Sequence, residues 1–443
     1  MDEWGQYQAF PSDENDPIEG ARAEQVCPFS AKAKNETQIG KELYKEHASF
    51  NQKIGYNLAC YAGYVEEGDF RSLGSSGGLG KWILYKLLKE NLVDYVIQVV
   101  NGSKKSSKSD TIYNYGVVNS IDKVLCGSKS AYYPVEMSGV LDHIRKNPGR
   151  YAITGLPCFV KALRLLSEVE QIYKERIRYC IGLICGHLKS TRYADMIAWQ
   201  FGIEPGNLKY IDFRKKILDS KANEQGVVVK GKTKDDLIEE QDIVQNIFGT
   251  NYNHGFFQYK ACDFCDDVVG ETADISIGDA WLKEYIDNTA GTNVVVVRNP
   301  IIHELIEESV SNGALVIHEL PVKKIIESQV GGFRQRREGL AYRLYLTDKQ
   351  KAWHPPKRVS SSKSHISVKR QKIYDLRMQI TERSHKAFKE AVQKSDFDVF
   401  IKAMDPLLHA YQRLYQVTGI KRIRNGIMRS EERRVGKECI VKC

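Results

Sequence analysis

No stretch of this 443-residue chain approaches the roughly 20 uninterrupted apolar residues that a bilayer span needs; the longest candidates, Asn293 to Arg298 and Tyr95 to Val100, are strand-sized. The N-terminus, Met1-Asp2-Glu3-Trp4, lacks the basic flank and apolar run of a secretory signal. A cytoplasmic protein without a transmembrane segment is therefore expected. The body of the chain also lacks an excess of positive charge. From Ser361 onward Lys and Arg outnumber Asp and Glu by 19 to 9, so the net charge of +9 resides in the C-terminal part and the preceding residues are close to neutral. That argues against a nucleic-acid groove in the core, because phosphate binding needs clustered cations. No internal repeat is visible.

What the chain does have is ten cysteines. Cytoplasmic thiols stay reduced, so they point to metal ligation or redox chemistry more than to disulfides, with small buried core residues as the alternative.

The hydrophobic pattern predicts an α+β fold: a mixed β-sheet core with flanking helices, plus a C-terminal helical appendage. Residues 1–50 read as a weakly structured N-terminal segment with a helical pattern at Ile39 to His47. Residues 51–350 carry the strand, Gly-rich turn, helix and strand alternation of an oxidoreductase core. Within it, 217–250 reads as a charged surface excursion with one apolar strand, Val227 to Val229. The Pro- and Ser-rich stretch 351–364 reads as a linker, and 365–428 as a helical hairpin packing on the body or on a partner. The last segment, 429–443, lacks apolar periodicity and resembles a non-native tail, so Cys439 and Cys443 are set aside as ligands.

Cys262-Asp263-Phe264-Cys265 presents two thiolates to one ion or cluster, and on spacing alone supports zinc nearly as well as iron. No second Cys-x-x-Cys or His pair stands nearby to complete a zinc ribbon. Cys158, after Gly155-Leu156-Pro157, and Cys185, before Gly186-His187, fall in loop-like places from which they could complete a four-cysteine cubane site. Cys180 is the other candidate for the fourth ligand, although its strand-like surroundings favour a packed core thiol, as do those of Cys60 and Cys126. Arg71-Ser72-Leu73-Gly74-Ser75-Ser76-Gly77-Gly78 lies between a strand and a helix start, where backbone N–H groups cradle phosphate. It matches neither the Walker pattern nor the dinucleotide fingerprint, and a simple tight turn explains it equally well.

Taken in order, Arg71 to Gly78, Ile153 to Cys158, Gly182 to Cys185, Phe213-Arg214, Cys262 to Cys265, Ala273 to Trp281 and Gly331-Gly332-Phe333 resemble the coenzyme F-420 hydrogenase/dehydrogenase beta-subunit family, from about Val26 to about Leu346. The resemblance implies FAD beside a [4Fe-4S] cluster. It also implies electron transfer between an iron-sulfur carrier such as ferredoxin and a small-molecule acceptor, with coenzyme F-420, a deazaflavin, as a candidate substrate. By the same resemblance Cys158, Cys185, Cys262 and Cys265 are the expected metal ligands; Arg71, Ser75, Ser76, Gly77 and Gly78 form the flavin-binding turn; Gly155 and Asp279 line the same pocket. The likeness is to a bacterial branch associated with exopolysaccharide synthesis. Many relatives carry an N-terminal run of closely spaced cysteines, of which only Cys27-Pro28 is present here, so a second cluster is not expected. The competing readings are a non-catalytic electron-transfer subunit whose basic tail docks on an acidic redox partner or a membrane surface, and a zinc-stabilised binding protein.

Overall fold

A computed structural model describes residues 1–9, 17–102, 111–217, 220–234 and 236–415. The expectations for Cys439, Cys443 and the 429–443 tail lie outside the described residues, as does the stretch of the appendage beyond Tyr415.

The fold is α+β. Strands β1 (Ser49–Asn51) and β2 (Gly55–Asn57) form a small hairpin ahead of β3 (Ala59–Val65), β4 (Tyr95–Asn101), β5 (Tyr113–Val118), β6 (Tyr151–Gly155) and β7 (Ile177–Leu183). A meander of β8 (Leu208–Lys215), β9 (Gly226–Lys232) and β10 (Leu237–Ile243) follows, and then β11 (Ile275–Asp279), β12 (Asn293–Val297) and β13 (Leu315–Glu319). Eight strands make one mixed sheet in the order β13-β3-β12-β11-β7-β6-β4-β5. Strands β4, β6, β7 and β11 are parallel, and β12 runs antiparallel to both β11 and β3, so β3 points the same way as those four. Five strands therefore end on one edge of the sheet, the edge where ligands gather in open α/β sheets.

The sheet's centre follows from its composition. Asn293-Val294-Val295-Val296-Val297 is buried along its whole length, as a strand covered on both faces must be. On one face the helix Leu79–Lys89 packs Leu79, Trp82, Ile83 and Leu87 against Ile181, Ile277 and Val295. On the other, the helix Pro157–Val169, opened by a proline at its first position where no N–H is needed, sets Val160 and Leu163 against Ile153 and Cys180. The helices Val368–Lys394 and Phe397–Tyr415 form a hairpin that reverses at Ser395 in the left-handed region (φ 50°). Its Phe388, Phe400 and Met404 share one core cluster with Phe256, Phe257, Ile197 and Phe213, so the hairpin packs on the body.

Four expectations are corrected. Residues 217–250 contain two strands of a three-stranded meander instead of one isolated strand; β10, Leu-Ile-Glu-Glu-Gln-Asp-Ile, is an exposed edge with no apolar face to betray it. Gly278-Asp279, a Gly-Asp step that in sequence reads as a turn closing the strand Ala273 to Ile277, lies instead inside β11, paired with Val294 and Asn293. Cys126 is exposed instead of packed in the core, because Val124 takes the buried position of that turn. The N-terminal segment holds two helices, Pro17–Val26 and Glu36–Tyr44, the second started by a reciprocal Asn35–Gln38 capping box.

Candidate functional site

The chain leaves the end of β3 into the loop that carries Arg71 to Gly78. Gly78 sits at φ 91° directly before the helix Leu79–Lys89, and a Cβ there would lie 2.7 Å from the backbone of Phe70 and Arg71, so only glycine fits. Ser75 Oγ accepts from the Ser130 N–H at 2.8 Å, and Ser76 Oγ donates to the Thr292 carbonyl at 2.9 Å. The helix start is tied to the sheet by Asn293, whose Oδ1 accepts from Leu79 N while its Nδ2 donates to the Gly278 carbonyl. Lys216, on the segment leaving β8, clamps the loop through the carbonyls of Arg71, Ser76 and Ala290.

Ser75, Ser76 and Gly78 face a cavity of about 920 Å³, which Gly155, Cys185 and Asp279 also line. It is large enough for an extended cofactor. Arg71 and Gly77 stand behind it: the Arg71 guanidinium lies over the Tyr64 ring and donates to the Gly291 carbonyl, while Gly77 abuts Gly63 and Asn293. Asp279 is held by two bonds from Arg214, at 2.7 and 3.1 Å. Lys81, Lys129, Lys189 and Arg214 line the cavity, against the carboxylates of Asp279 and Glu327. Burial, helped by the neighbouring charge of Lys129, pushes Lys81 down to about 8. Lys129 pairs with Asp212 and Arg214 with Asp279, whereas the Lys81 ammonium donates to the Leu73 and Leu125 carbonyls and, among the described residues, meets no carboxylate, which suits it to an anionic guest such as a diphosphate.

Of the four candidate cysteines Cys185 lines the cavity, and the other three lie near it. The thiols of Cys158, Cys185, Cys262 and Cys265 stand within electrostatic reach of one another: burial raises Cys158 well above its ordinary value, and each of the other three adds to the rise. Burial likewise pushes Cys262 up to about 12. Hydrogen bonds join the two cysteine-bearing loops, with Cys185 N–H donating to the Val268 carbonyl and Leu188 N–H to Cys262 Sγ at 3.3 Å. Cys180 is instead fully buried within β7, its N–H donating to Asp274, and takes no part. Among the described residues no three His, Cys, Asp or Glu side chains converge closely enough for a single ion. Around a tetrahedral zinc, Zn–S bonds of about 2.3 Å would draw the sulfurs to within about 4 Å of each other. In a cubane each thiolate caps a separate iron, and the donor chemistry of four neighbouring thiols suits such a group.

Two buried cations accompany the thiols. Lys189 donates to the Phe256 carbonyl at 2.6 Å and lies over the Tyr193 and Tyr252 rings. Arg336 donates to the carbonyls of Asp267 and Gly186, at 2.6 and 2.7 Å. Next to them, beyond Cys265, lies a different kind of cluster. Arg358 grips Glu271 through two bonds of 2.6 and 2.9 Å and also reaches Asp266 and Glu36, while Lys357 meets Asp266 and Lys161 meets Glu36. Asp267 accepts from the N–H groups of Val269, Gly270 and Glu271.

Arg336, Lys189, Lys129 and Lys216 were not singled out by sequence reasoning. None is marked out in its local text: Arg336 stands in the run Arg334-Gln335-Arg336-Arg337, and Lys216 follows Arg214-Lys215. The nearby signals are Phe213-Arg214, just ahead of Lys216, and Gly331-Gly332-Phe333, which opens the turn of helix carrying Arg336.

Residues 149–323 match the family described as the C terminus of the coenzyme F420 hydrogenase/dehydrogenase beta subunit, and residues 60–142 match the N-terminal part of the same subunit. Among solved structures, a chain of the xenon-derivatised F420-reducing [NiFe] hydrogenase complex from Methanosarcina barkeri is similar at 15% identity and a TM-score of 0.50, covering 70% of this chain and 99% of that one. At that identity the likeness concerns the fold. No curated protein sequence matches the chain.

Proposed function

The chain belongs to the coenzyme F420 hydrogenase/dehydrogenase beta-subunit family, and from that premise we propose that it is an oxidoreductase holding FAD in the cavity and a [4Fe-4S] cluster on Cys158, Cys185, Cys262 and Cys265. It would pass electrons between an iron-sulfur carrier such as ferredoxin and a small organic acceptor, for which a deazaflavin is the candidate the family name supplies. The observation that carries the reading is the double position of Cys185, which lines the cavity and belongs to the cysteine quartet.

FAD bound there supplies the exchange between two-electron hydride chemistry and the single electrons of a cluster. The chain's own residues hold and orient it. Lys81, at the start of the helix Leu79–Lys89, would receive the diphosphate, and Ser75 anchors the turn against Ser130. Asp279, immobilised by Arg214, offers a fixed acceptor for a hydrogen bond from the ring system. Tyr252, stacked on His187, stands beside Cys185 and Cys262.

The test is to purify the protein without oxygen, record its visible spectrum and assay flavin, iron, sulfide and zinc. Flavin with iron and sulfide supports the reading; zinc without iron or flavin overturns it. Among the described residues no helix is long and apolar enough to cross a membrane, and a carrier protein is the partner to try first. Turnover of an added deazaflavin with reduced ferredoxin distinguishes an enzyme from a relay subunit.

A further inference from the structure

Arg336 is 3% exposed and pairs with no carboxylate among the described residues. A buried guanidinium left that way is strongly unfavourable unless some other negative charge faces it. It donates to two backbone carbonyls, Gly186 O and Asp267 O, which lie one residue after Cys185 and two after Cys265. It thus grips both ligand loops at once.

We propose that Arg336 is the positioning residue and counter-charge of the cysteine quartet, joining the Cys185 and Cys265 loops and compensating the negative charge that a cluster on these thiolates would carry. The inference rests on the four-cysteine reading above. The contrast with Arg358, three of whose neighbours are carboxylates, marks Arg336 as a cation without an internal carboxylate partner. Reduction adds an electron to an already anionic cluster, so a fixed cation beside it favours the reduced form.

The experiment compares the anaerobically purified protein with Arg336→Gln and Arg336→Lys, measuring iron and sulfide per chain and the cluster's midpoint potential by dye-mediated titration. Gln is expected to shift the potential downward and to speed iron loss to a chelator, and Lys to restore most of both. If the unsubstituted protein holds iron and Gln leaves the potential unmoved, the inference falls while the cluster reading stands. If Gln holds no iron, Lys decides: iron retained supports the counter-charge role, and iron lost overturns it in favour of shape alone. An unsubstituted protein without iron overturns both.

Discussion

Two groups of buried cations lie side by side in this molecule, and they are balanced in opposite ways. Arg358, Lys357 and Lys161 are matched by Glu36, Asp266 and Glu271, each ion pair closed within the chain. Arg336 and Lys189 lie as deep but lean on carbonyls and rings, with thiols for neighbours. The first arrangement is complete as it stands and joins the segment around Arg358 to the loop after Cys265. The second is complete only when something anionic is added. Burial and charge are alike in the two groups; the presence of an internal partner separates a structural ion network from a binding site.

The comparison can be broken at several points. Cys262→Ser or Cys265→Ser should abolish cluster absorption and bound iron entirely; unchanged iron would remove either residue from the ligand set and leave Arg336 without a counter-ion. On the balanced side, Arg358→Ala leaves Glu271 with only the 3.4 Å contact of Arg337 and Asp266 with only Lys357, and should cost up to about 3–5 kcal/mol in urea unfolding. A loss below about 1 kcal/mol would mean that the network is no more than a surface-like pairing.

At the cavity, Lys81→Met should weaken flavin binding by roughly ten- to a hundredfold, the value of a charge-assisted bond of about 1.5–3 kcal/mol. Lys81 carries its charge below about pH 8 and loses it above. Between there and the ordinary lysine range the unfolded chain keeps a proton that the flavin-free protein has released, so that protein loses stability to that extent as the pH falls through the window and recovers it as the pH rises, while its affinity for flavin falls with rising pH. Binding titrations across that window, flat in Lys81→Met, check the assignment. The smallest effect belongs to Cys126→Ser, which should change stability by less than about 0.5 kcal/mol and leave iron untouched.

The sequence was most legible where chemistry is local. Cys262 and Cys265 share a turn, Gly78 precedes a helix with Trp82 and Leu87 at helical spacing, and the valines of β12 announce a buried strand. It was least legible where function depends on distant partners. Asp279 reads as a turn residue until Arg214, 65 positions earlier, is seen to hold it. Arg336 stands in a helix 150 positions from Gly186, and nothing in Arg334-Gln335-Arg336-Arg337 says which arginine faces inward. The hairpin that looked like an appendage completes a core cluster, because the apolar positions Phe256 and Phe257 that receive it belong to another part of the chain.

The shared direction of β3, β4, β6, β7 and β11 has an evolutionary reading. All five strand ends meet at one rim, and the β8 to β10 meander is spliced into the chain between two of them, β7 and β11. The opposite rim takes no part in the site. A lineage can therefore change what the site takes by rewriting rim loops while inheriting its scaffold intact.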